Sequence, residues 1–322
     1  MIARAARALL LARDLFLTLV VVPVAFPLWG LPWRAAERLG AFYGRIAGLF
    51  WPLGRRVAMI NLRRAYGSAM SRGLARRMTG EVFANLGHSL AEGIQFSRRL
   101  KTGPPGWERL YEAERPDLER AILADPRPKI FVTGHLGSWE IATMILALRT
   151  GLGGAAIARR VDNPFLNALV RRLRLSDPSQ WIEKMGAVPE ALSRLRSGES
   201  VALLLDENGG KRGPFVPFFG RLASTRKTPA LLSLKTGAPI VLGAAVRRGE
   251  KFLYRLAFID PAARGETGHE AIVPLTREIA ALWESWVRDD PAQWRWIHWR
   301  WRSRPDGAEE TYTRKDLEEA FR

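Results

Sequence analysis

Residues 129–142 read KIFVTGHLGSWEIA, and they place a short apolar run, a turn and the start of a helix in direct succession. The run before His135 is typical of a short buried strand. Gly137 allows a tight turn, and we predict that Ser138 is the N-cap of a helix beginning at Trp139. This order predicts a strand-turn-helix unit with a histidine where the strand ends.

Further strand and helix patterns alternate along the chain. We predict strands at KIFVTG (129–134), SVALLLD (200–206), APIVLGAAV (238–246) and FLYRLAFI (252–259), helices at 138–149, 164–175, 187–197 and 228–236, and an amphipathic helix at 74–96. The alternation predicts an α/β fold with a mixed, largely parallel sheet flanked by helices. Ligands of such sheets bind beyond the carboxyl ends of the strands, where both His135 and Asp206 are expected to lie.

The composition favours an anionic partner and excludes several chemistries. Among 322 residues, 50 Lys and Arg against 32 Asp and Glu leave a net charge of +18. There is no cysteine, which excludes disulfides, thiolate nucleophiles and Cys-based zinc sites. The four histidines lie far apart without HExxH spacing, so we predict no metal site. Neither GxGxxG in a βαβ setting nor a Walker A loop is present, so we predict no cofactor.

The first 33 residues contain a candidate membrane anchor. Residues 15–33, LFLTLVVVPVAFPLWGLPW, form a charge-free stretch of 19 residues, close to the roughly 20 that cross a bilayer. Three prolines favour a kinked or shallowly inserted anchor. A cleaved signal peptide and a buried core helix are the alternatives. We predict an anchor at 1–33 and a catalytic domain at 34–322, and a second apolar patch at 42–54 (FYGRIAGLFWPLG) could lie on the same surface. The excess of basic residues in the rest of the chain favours the cytoplasmic face of the membrane.

His135 and Glu140 are the strongest catalytic candidates in the sequence. Five residues along a continuous helix would splay the two side chains by about 140°, whereas across a strand-turn-helix they can converge. A histidine held by a carboxylate can act as a general base for a hydroxyl. The alternative is an acidic residue that merely complements the helix dipole. GHSLA (87–91) approximates a nucleophile elbow, but Ser89 lies inside the helical pattern at 74–96, so we reject it as a nucleophile and interpret it as a helix-surface serine.

GHLGSWE resembles the H-x4-E/D motif of the bacterial lysophospholipid and lipid A acyltransferases. Companion segments resemble the same family in the family's own order: ARRVDNPFLN (158–167), GESVALLLDENGGKRGPFVPFFGRLAST (198–225), KTGAPIV (235–241) and QWRWIHWRWRSRP (293–305). Together they cover roughly residues 130–305. Glu207 and Asn208 fall where the family usually varies.

The resemblance implies a glycerolipid-acyltransferase-like fold and a base mechanism. His135, assisted by Glu140, would deprotonate an acceptor hydroxyl that attacks an acyl thioester carried by acyl carrier protein or coenzyme A. The acceptor would be a lipid A precursor, with another lysophospholipid or a glycolipid such as a phosphatidylinositol mannoside as the alternative. The resemblance also implies substrate-binding residues: Arg159 (or Arg160 in the other register), Arg174, Asp206, Phe215, Phe218, Phe219 and Arg221.

The residues alone do not decide the roles of two aromatic segments. GPFVPFFG (213–220) suits either a wall for an acyl chain or packing under a loop. WRWIHWRWR (294–302) could stack on single-stranded nucleic acid, meet lipid headgroups or be partly buried as a final strand. Because an apolar segment opens the chain, we favour the membrane and expect no nucleic-acid partner. A non-catalytic, basic membrane- or nucleic-acid-binding protein is the rival interpretation.

Overall fold

The computed structural model describes residues 2–102, 107–150, 155–158, 161–173, 181–183, 186–249 and 251–322. Within these ranges the strands are β1 (Tyr111–Ala113), β2 (Ile130–Thr133), β3 (Ala155–Ala158), β4 (Trp181–Glu183), β5 (Val201–Leu204), β6 (Phe215–Phe218), β7 (Arg221–Ser224), β8 (Ile240–Arg248) and β9 (Lys251–Ile259).

Seven of these strands form one mixed sheet in the order β1-β9-β8-β2-β5-β3-β4. The five strands from β8 to β4 are mutually parallel, while β9 is antiparallel to β8 and β1 is parallel to β9. Strands β6 and β7 form a separate antiparallel hairpin. The predicted mixed, largely parallel sheet is therefore confirmed.

Helices surround the sheet, and the described ones are α1 (Ile2–Gly30), α2 (Trp33–Phe50), α3 (Pro52–Tyr66), α4 (Arg72–Thr102), α5 (Pro116–Ala124), α6 (Trp139–Thr150), α7 (Pro164–Leu173), α8 (Ala187–Arg196), α9 (Thr228–Thr236), α10 (Ile272–Asp289) and α11 (Arg314–Ala320). Short 3-10 turns lie at Gly67–Ala69, Trp107–Leu110 and Pro291–Gln293. The helix predicted at 74–96 is part of the longer α4.

The two faces of the sheet bury different side chains of the same strand. Ile130 and Val132 of β2 belong to a core cluster shared with α8, α9 and α10. Phe131, between them, belongs to a second cluster with α5 and α6. A strand buried on both faces has a continuous apolar sequence, which explains the pattern of KIFVTG.

Helix α1 has an apolar surface that the rest of the protein leaves largely uncovered. Leu10–Gly30 has a mean hydropathy of 1.8, and only 6% of this window is buried. By length and composition it could cross a membrane. The predicted second patch is also exposed, with Leu49 63% and Phe50 83% accessible at the end of α2.

Glycines let α2 approach α4 at backbone distance. A Cβ atom on Gly87 of α4 would lie 1.8 Å from the carbonyl oxygen of Gly40 in α2, and one on Gly44 would lie 2.0 Å from that of Phe83. Any larger residue at these positions must push the helices apart. By contrast, a Cβ on Gly80 of α4 would meet nothing within 4 Å.

We expect Gly87→Ala to destabilise the fold, since overpacking of this kind costs about 1–3 kcal/mol. The matched control Gly80→Ala should be neutral or stabilising by up to about 1 kcal/mol, because alanine favours the helix. Thermal unfolding of the two purified variants in detergent, followed by circular dichroism, compares them. Equal unfolding temperatures would contradict the close crossing of α2 and α4.

Candidate active site

The register of β2 and β5 places His135 beside Asp206. Thr133, the last residue of β2, is aligned with Leu204, the last of β5. Each strand is then followed by two residues, of which the second is His135 or Asp206. Both side chains therefore lie at the carboxyl edge of the parallel strands, where ligands of such sheets bind.

The Asp206 carboxylate holds His135 at two points. Its Oδ1 lies 2.8 Å from Nδ1 of the imidazole, and its Oδ2 accepts the backbone N–H of His135 at 2.6 Å. The indole Nε1 of Trp294 donates to the same Oδ2 at 2.8 Å. Asp206 is 5% exposed and His135 9%, so the pair is nearly buried but the imidazole is not sealed off.

Asp206 is ionised in this setting. Burial opposes its charge, but the imidazole of His135, through its charge and its hydrogen bond, and the guanidinium of Arg295 hold the pKa of the Asp206 carboxyl well below its usual range. An ionised carboxylate only accepts, so the proton lies on Nδ1 of His135. When the ring is neutral, Nε2 therefore carries the lone pair, as a general base requires.

Backbone hydrogen bonds fix the turn that carries His135. Its carbonyl accepts from Arg295 N at 3.1 Å, and Gly137 N donates to the carbonyl of Gln293 at 3.0 Å. On the next residue, Ser138 N donates to the carbonyl of Ala245 at 2.8 Å. The turn is therefore bonded to β8 and to the segment that follows α10.

Two glycines make this geometry possible. Gly137 has φ 63°, and a Cβ there would lie 2.1 Å from the carbonyl oxygen of Ala245. On Gly134, a Cβ would lie 2.4 Å from the Trp283 ring and 2.7 Å from Cγ of Asp206. Gly134 thus provides the space in which the carboxylate reaches the imidazole.

A buried polar network supports Gln293, whose carbonyl holds the turn. Its side-chain amide exchanges hydrogen bonds with the backbone of Arg247, at 2.9 and 3.1 Å. The Arg247 guanidinium binds both oxygens of Glu92, which is fully buried in α4, and Oδ1 of Asn85 at 2.9 Å. Nδ2 of Asn85 donates to the carbonyl of Gln293 at 2.8 Å. Helix α4 is thereby linked to the turn that carries His135.

The Trp/Arg-rich segment is a structural part of the site, so our preference for a membrane-facing role was wrong. Trp294, Trp296 and Trp301 are at most 1% exposed and belong to the main core cluster. Trp294 packs edge-to-face on Trp296 with ring centroids 4.7 Å apart. Sequence reasoning missed Trp294 as a partner of Asp206; the i, i+2 spacing of Trp294 and Trp296, typical of a buried strand face, was the available signal.

Glu140 lies in the first turn of α6, as the predicted helix start at Trp139 implies, and it is partly exposed. Within the described residues, it is Asp206 that binds Nδ1 of His135, whereas the His135 ring also packs edge-to-face on Trp139 at 5.2 Å. The role of Glu140 in orienting the imidazole stays a prediction.

Two serines differ from their sequence interpretation. Ser138 occupies the N-cap position, and its carbonyl accepts from Ala142 N, but its buried hydroxyl has no hydrogen-bond partner among the described residues and caps nothing. Ser89 is not a helix-surface serine, because it is 1% exposed and donates from Oγ to the carbonyl of Gly137 at 2.9 Å. It stabilises the His135 turn from α4, and a serine in mid-helix lacks the strained turn of a nucleophile elbow.

The predicted substrate-binding residues are not all brought to this edge. Phe218 and Phe219 are 1% and 4% exposed and pack on Trp294 and Trp296, while Phe215 is partly exposed on the same hairpin. Arg221 donates to Glu310 at 3.2 Å. Their substrate-binding roles stay predictions. The remaining candidates, Arg159, Arg160 and Arg174, lie outside the described residues. In the part of the chain that the structure describes, no three His, Asp or Glu side chains are grouped to hold a metal ion.

His298 ties the loop after Asp206 to the Trp/Arg-rich segment. Its Nε2 accepts the backbone N–H of Asn208 at 2.9 Å, so the ring must be neutral. Burial, and then the positive charge of Arg295, lower the pKa of His298 to about 4.

We therefore expect His298 to make the fold sensitive to mild acid. Between pH 6.5 and about 4, His298 is protonated in the unfolded chain but neutral in the folded protein. His298 therefore does not reduce the free energy of unfolding above pH 6.5, and it reduces it progressively as the pH falls below 6.5. From pH 6.5 to 5 the loss is about 2 kcal/mol at 1.36 kcal/mol per pH unit. His298→Gln, which does not titrate, should have a smaller drop in unfolding temperature between these pH values. His269→Gln, at an exposed position, is the control, and an unchanged pH dependence in His298→Gln would contradict the assignment.

Comparisons with known proteins cover nearly the whole chain. Residues 5–303 match the family model described as bacterial lipid A biosynthesis acyltransferase. The lipid A biosynthesis lauroyltransferase of Escherichia coli K12 is 25% identical over 309 residues, which cover 92% of this chain and 95% of the relative. The palmitoleoyltransferase of the same organism is 28% identical over 294 residues, covering 88% and 90%. An acyltransferase of Shigella flexneri matches equally. The chain belongs to the bacterial lipid A biosynthesis acyltransferase family and is an acyltransferase.

Proposed function

We propose that the protein transfers a fatty acyl chain from an acyl thioester to a hydroxyl of a lipid A precursor, with His135 as the general base. The observation that carries the proposal is the buried His135–Asp206 pair at the carboxyl edge of the sheet. The family match over residues 5–303 and the names of the relatives support the choice of acceptor.

The proposed reaction uses Nε2 of His135 to remove the proton of the acceptor hydroxyl. The hydroxyl oxygen bonds to the thioester carbonyl carbon, and the tetrahedral intermediate collapses as the carbon–sulfur bond breaks. The departing thiolate takes the proton back from the imidazolium, so an ester and a thiol are formed. The Asp206 carboxylate stabilises the imidazolium in between, and such base catalysis contributes about 10²–10⁴-fold.

The charge of the protein supports an acidic substrate. A net charge of +18 attracts phosphorylated lipid, and it equally suits an acidic carrier protein as donor. Acyl carrier protein and coenzyme A both present the acyl group as a thioester, and we propose one of them as the donor.

We further propose that the protein works at the cytoplasmic face of the inner membrane. The exposed apolar surface of α1 supports membrane attachment, and the excess of basic residues in the body supports the cytoplasmic side. Under this proposal residues 1–33 attach the catalytic domain, 34–322, to the lipid.

Acyl transfer by three purified variants tests the assignment of the base and its carboxylate. His135→Ala should lose measurable transfer, and Asp206→Asn should lose about 10²–10⁴-fold in kcat, because an amide stabilises neither the Nδ1–H tautomer nor the imidazolium. Glu140→Gln should lose less than Asp206→Asn. His269→Ala, at an exposed position, is the control. Transfer by His135→Ala at the wild-type rate would refute His135 as the general base. A larger loss of kcat in Glu140→Gln than in Asp206→Asn would show that Glu140, and not Asp206, orients the imidazole.

Mass spectrometry of lipids tests the acceptor. We expect a strain without this gene to contain a lipid A lacking one acyl chain, and the wild-type gene to restore it. A gene that encodes the His135→Ala variant should not restore the missing acyl chain. A lipid A of unchanged mass, with a change in another lipid class, would refute the acceptor but leave acyl transfer intact.

A further inference from the structure

Helix α1 is fixed to the body of the protein near both ends of its apolar stretch. At the amino end, Nδ2 of Asn163 donates to the carbonyl of Asp14 at 2.8 Å and lies 3.2 Å from Oγ1 of Thr18. Asn163 is 9% exposed, and its Oδ1 accepts the backbone N–H groups of Phe165 and Leu166, both at 3.0 Å, as the N-cap of α7. The same amide therefore caps one helix and holds another.

At the carboxyl end, α4 makes the corresponding contacts. Nε2 of Gln95, which is fully buried, donates to the carbonyls of Leu28 and Leu31, the latter at 3.0 Å. The guanidinium of Arg98 donates to the carbonyl of Trp29. Leu28 itself is 0% exposed and packs on Ala91 and Ile94 of α4.

Between these two contacts the helix is apolar and open on nearly all sides. Leu15, Phe16, Leu19, Val24 and Phe26 are between 45% and 69% exposed. A helix that is apolar all round belongs in hydrocarbon and not at a polar surface. The lipid must therefore surround the middle of α1 while the body holds its ends.

The distance between the contacts is too short for a crossing. From Asp14 to Leu28 the helix rises about 21 Å at 1.5 Å per residue, whereas the hydrocarbon core is about 30 Å thick. If α1 crossed the bilayer, the body would have to accompany it and carry Gln95, Arg98 and Asn163 to membrane depth, at high cost for their polar groups. A helix about 10 Å wide fits within a single leaflet of about 15 Å.

The contact with Asn163 also places α1 at the active edge. Helix α7 follows β3, and β3 is parallel to β5, which is parallel to β2. The carboxyl end of β3 therefore lies on the same sheet edge as His135. A leaflet that holds α1 is adjacent to the histidine.

We propose that α1 lies within a single leaflet of the membrane, along the sheet edge that holds His135, and does not cross the bilayer. Leu49 and Phe50 at the end of α2 are exposed as well, and under this proposal they form a second apolar contact with the same leaflet. Lipid hydroxyls of that leaflet thus reach Nε2 without leaving the headgroup layer. The inference rests on the proposed attachment to a membrane and is independent of the acyl-transfer chemistry.

Single cysteines test this topology, because the natural chain has none. Arg13→Cys and Arg38→Cys flank the apolar stretch, and Lys315→Cys, at a position where the side chain is 83% exposed, reports the side of the body. Right-side-out and inverted membrane vesicles carrying the full-length protein are treated with a membrane-impermeant maleimide, and the labelled fraction is normalised to labelling in detergent. The cysteine-free protein gives the background.

We expect all three thiols to be labelled to a similar extent in inverted vesicles and at background in right-side-out vesicles. Labelling of Arg13→Cys from the side opposite to Lys315→Cys would overturn the proposal, and so would labelling of Arg13→Cys only after detergent. Ala12→Cys, an exposed position, repeats the test should loss of the Arg13–Asp14 ion pair disturb the fold. Acyl transfer measured in the same vesicles separates a wrong topology from a wrong reaction.

Discussion

The hydrogen-bonded pair of His135 and Asp206 is the interaction on which the rest of the site depends. It requires β2 and β5 to be adjacent, parallel and in register, since each contributes a side chain two residues beyond its last residue. It requires a residue without a Cβ at position 134, because the carboxylate fills that space. A slip of the register by one residue would turn one side chain to the opposite face and abolish the pair.

A buried carboxylate also constrains parts of the protein remote in sequence. An ionised group removed from water is stable only when its oxygens are bonded, and an unpaired one would cost several kcal/mol. The His135 backbone, its imidazole and the Trp294 indole supply those bonds to Asp206. The tryptophan-rich segment must therefore lie inside the protein. Hydrogen bonds between the Gln293 side chain and the Arg247 backbone hold the start of this segment beside the turn that carries His135. Of the arginines in this segment, Arg302 is exposed, whereas Arg300 is 2% exposed and donates to the Ser224 carbonyl and to Oγ1 of Thr225.

The sequence predicted the sheet well because its strands are buried on both faces and their apolar runs are continuous. It also placed His135 and Asp206 at strand ends, and the structure confirms that both lie at the carboxyl edge of the sheet. It did not predict which carboxylate meets the imidazole, because spacing across a turn does not determine where Glu140 points, whereas the contact with Asp206 arises from tertiary pairing of two strands. Short strands such as Ala155–Ala158 have no distinctive pattern and were missed. Phe218 and Phe219, which the residues alone left between a wall for an acyl chain and packing under a loop, are buried against Trp294 and Trp296.

Under the proposed mechanism, Asp206 fixes the proton of the neutral His135 ring on Nδ1 and leaves Nε2 as the base. With only four histidines in the chain, the nitrogen-15 NMR spectrum of protein labelled at its imidazole nitrogens reports each tautomer, and the His135→Gln variant identifies the signals of His135. We expect the neutral His135 ring to carry its proton on Nδ1, and we expect this preference to be lost in Asp206→Asn. A His135 proton on Nε2, or a tautomer unchanged in Asp206→Asn, would contradict the proposed mechanism.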